Sequence, residues 1–377
     1  MKNDRVTPSC PRDEWASSER NCFSEEYDME GKNRGLRLQL ISDAFLSIVQ
    51  AIIRPPRCIY SMSHLGPREL VFTKTDGRRV VVERNDYALE HDPVLIDRGT
   101  IMVSEFTPFP KKAPDSPNPV IIYVHGNSSA RIDVLHNGLL EAAASRGFSV
   151  IAFDTAGSGM SMGSEYVSLG FFEKLDLKLV VQWAHGADAT WRKRPVAVWG
   201  FSQGAVATLL FASLRNDILS DSHYDTCALS GLVLDSPFSS IKALANEHPI
   251  SKQIRGGIMA LRVLFPLVRW RVRRRTGLDI NKLDVVDAAR NAPTNLPCFI
   301  IAAECDEIVP SSHGKAVHAA YSSINKEFCL LQGNRHDHNS PRPSETIDRA
   351  LDFLEPMLMP PPDAMGPLLL KSADPGP

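Results

Sequence analysis

Val196-Ala197-Val198-Trp199-Gly200-Phe201-Ser202-Gln203-Gly204-Ala205-Val206-Ala207 is the stretch that decides the fold of this chain. Val196–Trp199 is a short apolar run of buried-strand type, and Ala205–Arg215 has the composition of a helix. Between them lies G-x-S-x-G. A strand that passes into a helix within so few residues must turn sharply. The positions two before and two after the serine then have room only for small side chains. The turn lifts the Ser202 hydroxyl above the sheet edge and aims the next N–H at the same space.

Working outward, the chain repeats this alternation. Short apolar runs at Val120–Val124, Val150–Phe153, Val196–Trp199, Leu232–Leu234, Cys298–Ala302 and Phe328–Leu331 are separated by helix-like stretches at Leu135–Ser145, Gly170–Ala184, Ala205–Arg215 and Gly314–Ser322. Alternation at this spacing predicts βαβ units. The fold class is therefore α/β, with a mostly parallel central sheet flanked by helices. Three further strands are expected before it, at Glu69–Thr73, Arg79–Glu83 and Ile101–Phe106. The interval Phe238–Asn295 is too long for an ordinary connection. It reads as a helical cap inserted after the strand ending at Asp235.

Composition sets the bounds. The 377 residues are 43% hydrophobic and 23% charged, which is ordinary globular usage and excludes wholesale disorder. Lys and Arg number 42 against 44 Asp and Glu, a balance that argues against a dedicated nucleic-acid binder. The seven cysteines include no C-x-x-C pair, so no zinc cage or dithiol redox motif is supported. Thin cysteine usage fits a reducing compartment. With no apolar h-region in the first thirty residues and no run of the ~18 apolar residues a spanning helix needs, a soluble cytoplasmic protein is expected.

Residues 1–30 read as a disordered tail and 358–377 as a proline-rich tail, leaving 31–357 as one domain with the cap at 238–295. An amphipathic stripe, Leu38, Ile41, Phe45, Ile48 and Ile52, precedes Pro55 and Pro56.

In an open α/β sheet ligands bind beyond the carboxyl ends of the strands, so the residues following each apolar run carry the chemistry. Ser202 needs a base, because a lone hydroxyl is a poor nucleophile. Asp306 follows Cys298–Ala302 and is preferred as the acid over Glu304, Glu307 and Asp235. Beyond Phe328–Leu331 stand His336 and His338, which spacing alone does not separate. After the first core strand comes His125-Gly126-Asn127-Ser128. Its backbone is suited to donate, with Gln203, to a developing oxyanion, and His125 reads as orienting the loop. Asp154-Thr155-Ala156-Gly157-Ser158-Gly159 has some likeness to a dinucleotide fingerprint, but Gly163 falls one residue late, and a tight loop explains the glycines equally well.

Taken together, the motifs resemble the serine aminopeptidase-type branch of the α/β-hydrolase superfamily, and in particular its esterase-like members of plants and protists. The resemblance covers roughly residues 45–357. It rests on Ile52-Ile53-Arg54-Pro55-Pro56-Arg57, His125-Gly126-Asn127-Ser128, Gly157-Ser158-Gly159-Met160-Ser161, Trp199–Ala205, Leu234-Asp235-Ser236-Pro237-Phe238 and Asp337-His338-Asn339-Ser340-Pro341-Arg342-Pro343. It implies a serine hydrolase of the α/β-hydrolase fold with Ser202, Asp306 and His338 as its triad. The substrate would be a carboxylic ester, a thioester or an amide, with no metal or cofactor required. The sequence departs from the family by a short insertion, Asn334-Arg335-His336. A catalytically silent scaffold acting in binding or signalling is the alternative expectation.

The expected partner is a small acyl substrate, of which lipid is one class; the oligomeric state is left open. From Arg255 to Arg275 the cap carries seven arginines and no acid, interleaved with Leu264, Phe265, Leu267 and Trp270. One reading is a pair of lid helices, broken near Pro266, whose arginines are solvated or paired to the body. The other is a surface for peripheral contact with anionic lipid. Nucleic acid is not expected.

Overall fold

Strands Val120–Val124 (β4), Ser149–Phe153 (β5) and Val196–Phe201 (β6) are buried at every position. This is the mark of strands covered on both faces. The computed structural model describes residues 49, 50, 53–74, 76–92, 98–110, 118–185, 194–214, 229–247, 257–334, 336 and 342–359. The tails 1–30 and 360–377 and the Leu38–Ile52 stripe lie outside the described residues. The other strands are Glu69–Thr73 (β1), Arg79–Glu90 (β2), Thr100–Pro108 (β3), Leu229–Asp235 (β7), Cys298–Ala303 (β8) and Lys326–Leu331 (β9).

They form one nine-stranded sheet in the order β1-β2-β3-β5-β4-β6-β7-β8-β9. β1, β2 and β3 pair antiparallel, as do β3 and β5; every pairing from β5 through β9 is parallel. β2 runs seven residues past its expected end at Glu83 because β3 continues to pair with it as far as Thr100–Glu90.

Helices Leu139–Ala144 (α1) and Ser344–Leu358 (α8) cover one face of the sheet. α8 presents Ile347, Ala350, Leu351, Leu354 and Leu358, a three- and four-residue stripe, to a core containing Tyr123, Trp199, Val233 and Phe299. The other helices of the body are Glu173–His185 (α2), Gln203–Ala212 (α3), Val285–Asn291 (α6) and Ser311–Ala320 (α7). α3 packs on β6, α2 and α6, and α7 packs on α6 and β8.

The helix expected over Leu135–Ser145 is in fact a 3₁₀ turn, Arg131–Leu135, followed by α1. Gly138, at φ 84°, separates them, a left-handed conformation in which a helix cannot run on.

Between β7 and β8 the described residues include Ile241–Glu247 (α4), Gly257–Thr276 (α5), a 3₁₀ turn at Ile280–Lys282, and α6; α5 runs through Pro266 as one helix, where a break into two was expected. Because α6 packs on the body, the excursion proper narrows to 241–283. Its neck is closed by a bridge between Ser240 and Asp284 and by the Val285 N–H, which donates to the Ser239 carbonyl at 3.0 Å.

Candidate functional site

Ser202 sits between β6 and α3 at φ 51°, ψ −114°, a conformation a non-glycine residue adopts only under constraint. The constraint is visible on both sides. A Cβ on Gly200 would stand 2.4 Å from the Gly204 carbonyl oxygen, and one on Gly204 would stand 2.1 Å from that of Val124. Both contacts are with backbone, so no side-chain movement could relieve them. The Ser202 N–H donates to the Asp235 carbonyl at 2.7 Å, which fastens the turn to β7.

The Ser202 hydroxyl donates to His336 Nε2 at 3.0 Å, and His336 Nδ1–H donates to Asp306 Oδ2 at 2.7 Å. An ionised carboxylate can only accept, so the proton belongs on Nδ1, and Nε2 is left to accept from the serine. The other carboxylate oxygen of Asp306 accepts the N–H groups of Ile308 (2.9 Å) and Val309 (2.6 Å). Those two bonds fix the plane of a carboxylate whose side chain is wholly buried.

The histidine in this relay is His336; His338, the residue the resemblance implies, lies outside the described residues. The reason His336 reaches the acid is local. Gly333 turns the chain at φ 68° after β9, and the Cys305 N–H donates to the Asn334 carbonyl at 3.0 Å. Asn334 is thereby pinned beside the loop that carries the acid, and His336, two residues on, reaches Asp306. The short insertion thus supplies the bridging ring.

Asp235, the rival acid, is taken by a different partner. Arg342 donates to both its oxygens, from Nε at 2.8 Å and from Nη2 at 2.7 Å, with both side chains buried. Phe201 separates the two assemblies: its ring lies 5.1 Å from that of His336 and 5.4 Å from the Arg342 guanidinium. Nothing in the sequence alone marks Arg342, Phe201 or His313 for these places, because each is defined by partners distant in the chain. His313 Nδ1 accepts from the Ser239 N–H at 3.1 Å. Burial holds its pKa below the usual histidine value, although Glu247 and Asp306 pull the other way.

Asn127 and Gln203 occupy equivalent places beyond the ends of neighbouring strands. Val124 and Gly200 are paired in register, and each of the two residues follows three positions later. A Cβ on Gly126 would stand 2.8 Å from the Phe201 ring and 3.5 Å from Ser202 Cβ, so this loop passes close over the nucleophile position. His125 is buried in the loop. Its Nδ1–H donates to the Gly126 carbonyl at 2.7 Å and its Nε2 accepts from the Thr155 N–H at 3.1 Å. Both ring nitrogens are used within the protein, which gives it the orienting role expected from the sequence. Desolvation lowers its pKa.

The glycine-rich loop after β5 is a structural knot. Asp154 Oδ1 accepts from the Arg131 N–H at 2.7 Å; its Oδ2 accepts from the Met160 N–H at 2.9 Å and from the Tyr60 hydroxyl at 2.5 Å. A Cβ on Gly159 would meet that carboxylate at 2.5 Å, and one on Gly157 would meet the Ser164 carbonyl at 1.8 Å. Internal packing explains these glycines. A cavity of about 710 Å³ adjoins this loop, lined by Gln50, Arg54, Arg57, Gly157, Ser164 and Glu165 together with Pro55 and Pro56; it includes no member of the Ser202 relay. Arg57 ties the loop down, donating to Ser158 Oγ at 3.3 Å and to the Glu165 carbonyl at 3.2 Å.

The profile of the X-Pro dipeptidyl-peptidase (S15) family matches residues 80–220. Among curated proteins, the lysophosphatidylserine lipase ABHD12 of Xenopus tropicalis is 30% identical over 210 residues, 53% of this chain and 46% of that protein. Human protein ABHD12B is 24% identical over 212 residues, 56% of this chain and 52% of that one. The chain thus spans about half the length of the curated relatives it matches. Among solved structures, the esterase Pf2001 of Pyrococcus furiosus superposes with a TM-score of 0.54 at 19% identity, over 81% of this chain and 98% of that one. The 2,6-dihydroxy-pseudo-oxynicotine hydrolase does so with a TM-score of 0.51 at 17% identity, over 74% and 68%. Likeness at this identity concerns the fold.

Proposed function

We propose that this chain is a serine hydrolase of the α/β-hydrolase superfamily, cleaving a carboxylic ester or thioester, with a lipid acyl group as the favoured substrate class. The observation that carries the proposal is the continuous relay from Ser202 through His336 to Asp306. The similarity to lysophosphatidylserine lipases supports the substrate class.

Ser202 Oγ attacks the acyl carbonyl carbon while His336 Nε2 takes its proton. The imidazolium so formed is stabilised by Asp306 and returns the proton to the departing alkoxide or thiolate. Water then attacks the acyl-enzyme, with His336 again the base, and the carboxylic acid leaves. The backbone N–H groups of Gln203 and Asn127 hold the oxyanion in both steps; one such donor is worth about 10²–10³ in turnover.

The test is labelling of the purified protein by a fluorophosphonate probe, comparing wild type with Ser202→Ala, His336→Ala and His338→Ala. Labelling lost in the first two and kept in the third is the expected result. Loss in His338→Ala with retention in His336→Ala would move the base to His338. Folded wild-type protein that takes no label would point instead to a silent scaffold.

A further inference from the structure

The cap arginines do not form a uniform surface. Arg269 is committed to Asp279 by two hydrogen bonds, from Nε at 2.7 Å and from Nη2 at 2.6 Å. Arg271 turns partly inward, its Nε buried. Arg273, Arg274 and Arg275 are exposed. On the same helix Leu267 and Trp270 are each 53% exposed, whereas Val268 and Val272 are buried at 2% and 0%.

At about 100° per residue, Leu267, Trp270, Arg273 and Arg274 fall on one face of α5, opposite Val268 and Val272. The Arg274 guanidinium lies 5.5 Å from the Trp270 ring centroid, so cation and aromatic form one surface. Arginines in a last turn also favour the helix dipole, which accounts for cations there. It does not account for a leucine and a tryptophan turned to solvent beside them.

We propose that this outward face of α5 docks on an anionic bilayer surface. Leu267 and Trp270 would enter the headgroup boundary, and Arg273 and Arg274 would pair with lipid phosphate or carboxylate groups. Charge complementarity selects this occupant: the chain carries a net charge of −2, yet this turn presents three adjacent cations with no acid among them. Exposed aliphatic and indole groups on the same face suit a boundary with an apolar side, which nucleic acid does not offer. Among the described residues no helix is long and apolar enough to cross a membrane, so α5 would lie on the surface.

The placement bears on the proposed reaction. The excursion that holds α5 begins just past the carboxyl end of β7 and is closed at the Ser240–Asp284 neck. β7 lies between β6, which leads to Ser202, and β8, which leads to Asp306. Docking would therefore bring the site edge towards acyl chains in the bilayer, a consequence that rests on the hydrolase reading; the docking itself does not.

The test is sedimentation of the full chain with vesicles of phosphatidylcholine alone or mixed with phosphatidylserine, at low and at physiological salt. Wild type is expected to bind the mixed vesicles, less so as salt rises. The double variant Arg273→Gln, Arg274→Gln is expected to bind on the order of 30-fold more weakly. Leu267→Ser with Trp270→Ser, at positions already half in solvent, should also lose binding while melting as wild type does. Equal binding to both vesicle types, variants that bind like wild type, or retention on single-stranded nucleic acid in preference to vesicles would overturn the proposal. Vesicle binding by a protein that takes no fluorophosphonate would sink the hydrolase reading and leave docking intact.

Discussion

Arg342 and Asp235, separated by 107 positions in the chain, face each other as a buried two-pronged ion pair beneath the Phe201 ring. The pair joins the segment that follows the histidine loop to the strand beside the nucleophile. Arg342 is thus a positioning residue, reaching the site through what it holds in place.

Arg342→Met is expected to cost about 3–5 kcal/mol, since it leaves the Asp235 carboxylate buried without its cation. Urea denaturation measures this, and adding Asp235→Asn should recover part of the loss. A single variant as stable as wild type would show that the pair does not hold the fold. Fluorophosphonate labelling should slow in the single variant even where it remains folded.

Asp306→Asn separates geometry from proton placement. The asparagine carbonyl can still accept from Ile308 and Val309, but its NH₂ would face a histidine N–H. The ring then takes the other tautomer, with Nε2 protonated and unable to accept from Ser202. Turnover of a short-chain ester should fall by on the order of 10³–10⁴-fold with the fold retained. A loss of less than about tenfold would remove Asp306 from the mechanism.

Gly204→Ala should abolish folding or destabilise by more than about 4 kcal/mol, because the added methyl would stand 2.1 Å from one backbone oxygen and 2.7 Å from another. Gly77→Ala is the control: at φ 82° and with nothing within 4 Å of its Cβ, it should cost about 1–2 kcal/mol. Comparable thermal melts for the two variants would contradict the packing argument.

Stability should decline as the solution is acidified below the ordinary histidine range. Burial holds the folded-state pKa values of His125 and His313 below the ordinary histidine value of about 6.5. As pH falls through 6.5 the unfolded chain takes up protons that the folded one does not, so the unfolding free energy drops. The decline ends once the pH is below the folded values. Each group contributes at most about 1.4 kcal/mol per pH unit. Denaturation midpoints between pH 8 and 5 would show the slope, and His125→Asn should reduce it. A flat profile would mean that these rings are not buried neutral.

The Ser202 turn is legible because its glycines flank the serine in one short segment, although only Gly200 is constrained by its own turn and Gly204 is held small by the neighbouring strand end at Val124 and His125. The parallel strands were legible for a similar reason, since burial on both faces writes itself as uninterrupted apolar runs. Helix ends were read less well. Gly138 looks like any glycine until its left-handed conformation shows that the Leu135–Ser145 stretch is broken there. β2 was read short because its last residues, as far as Glu90, are only partly apolar and are held by pairing with β3.

By itself the sequence determined the α/β alternation, the serine turn, the acid loop after β8 and a histidine loop after β9, all of them properties of contiguous segments. Tertiary structure decided between residues that are locally equivalent. Asp235 and Asp306 both follow buried strands, and only the approach of Arg342 commits the first to an ion pair and leaves the second to a histidine. His336 and His338 differ by two positions, and the Cys305–Asn334 hydrogen bond brings the first of them to Asp306. In the cap, the contact of Arg269 with Asp279 distinguishes the held arginine from those turned outward. The first two choices depend on partners 107 and 29 residues away, whose positions are set only when the sheet brings the strand ends together, and the third on a contact ten residues on that forms where the cap helix turns back.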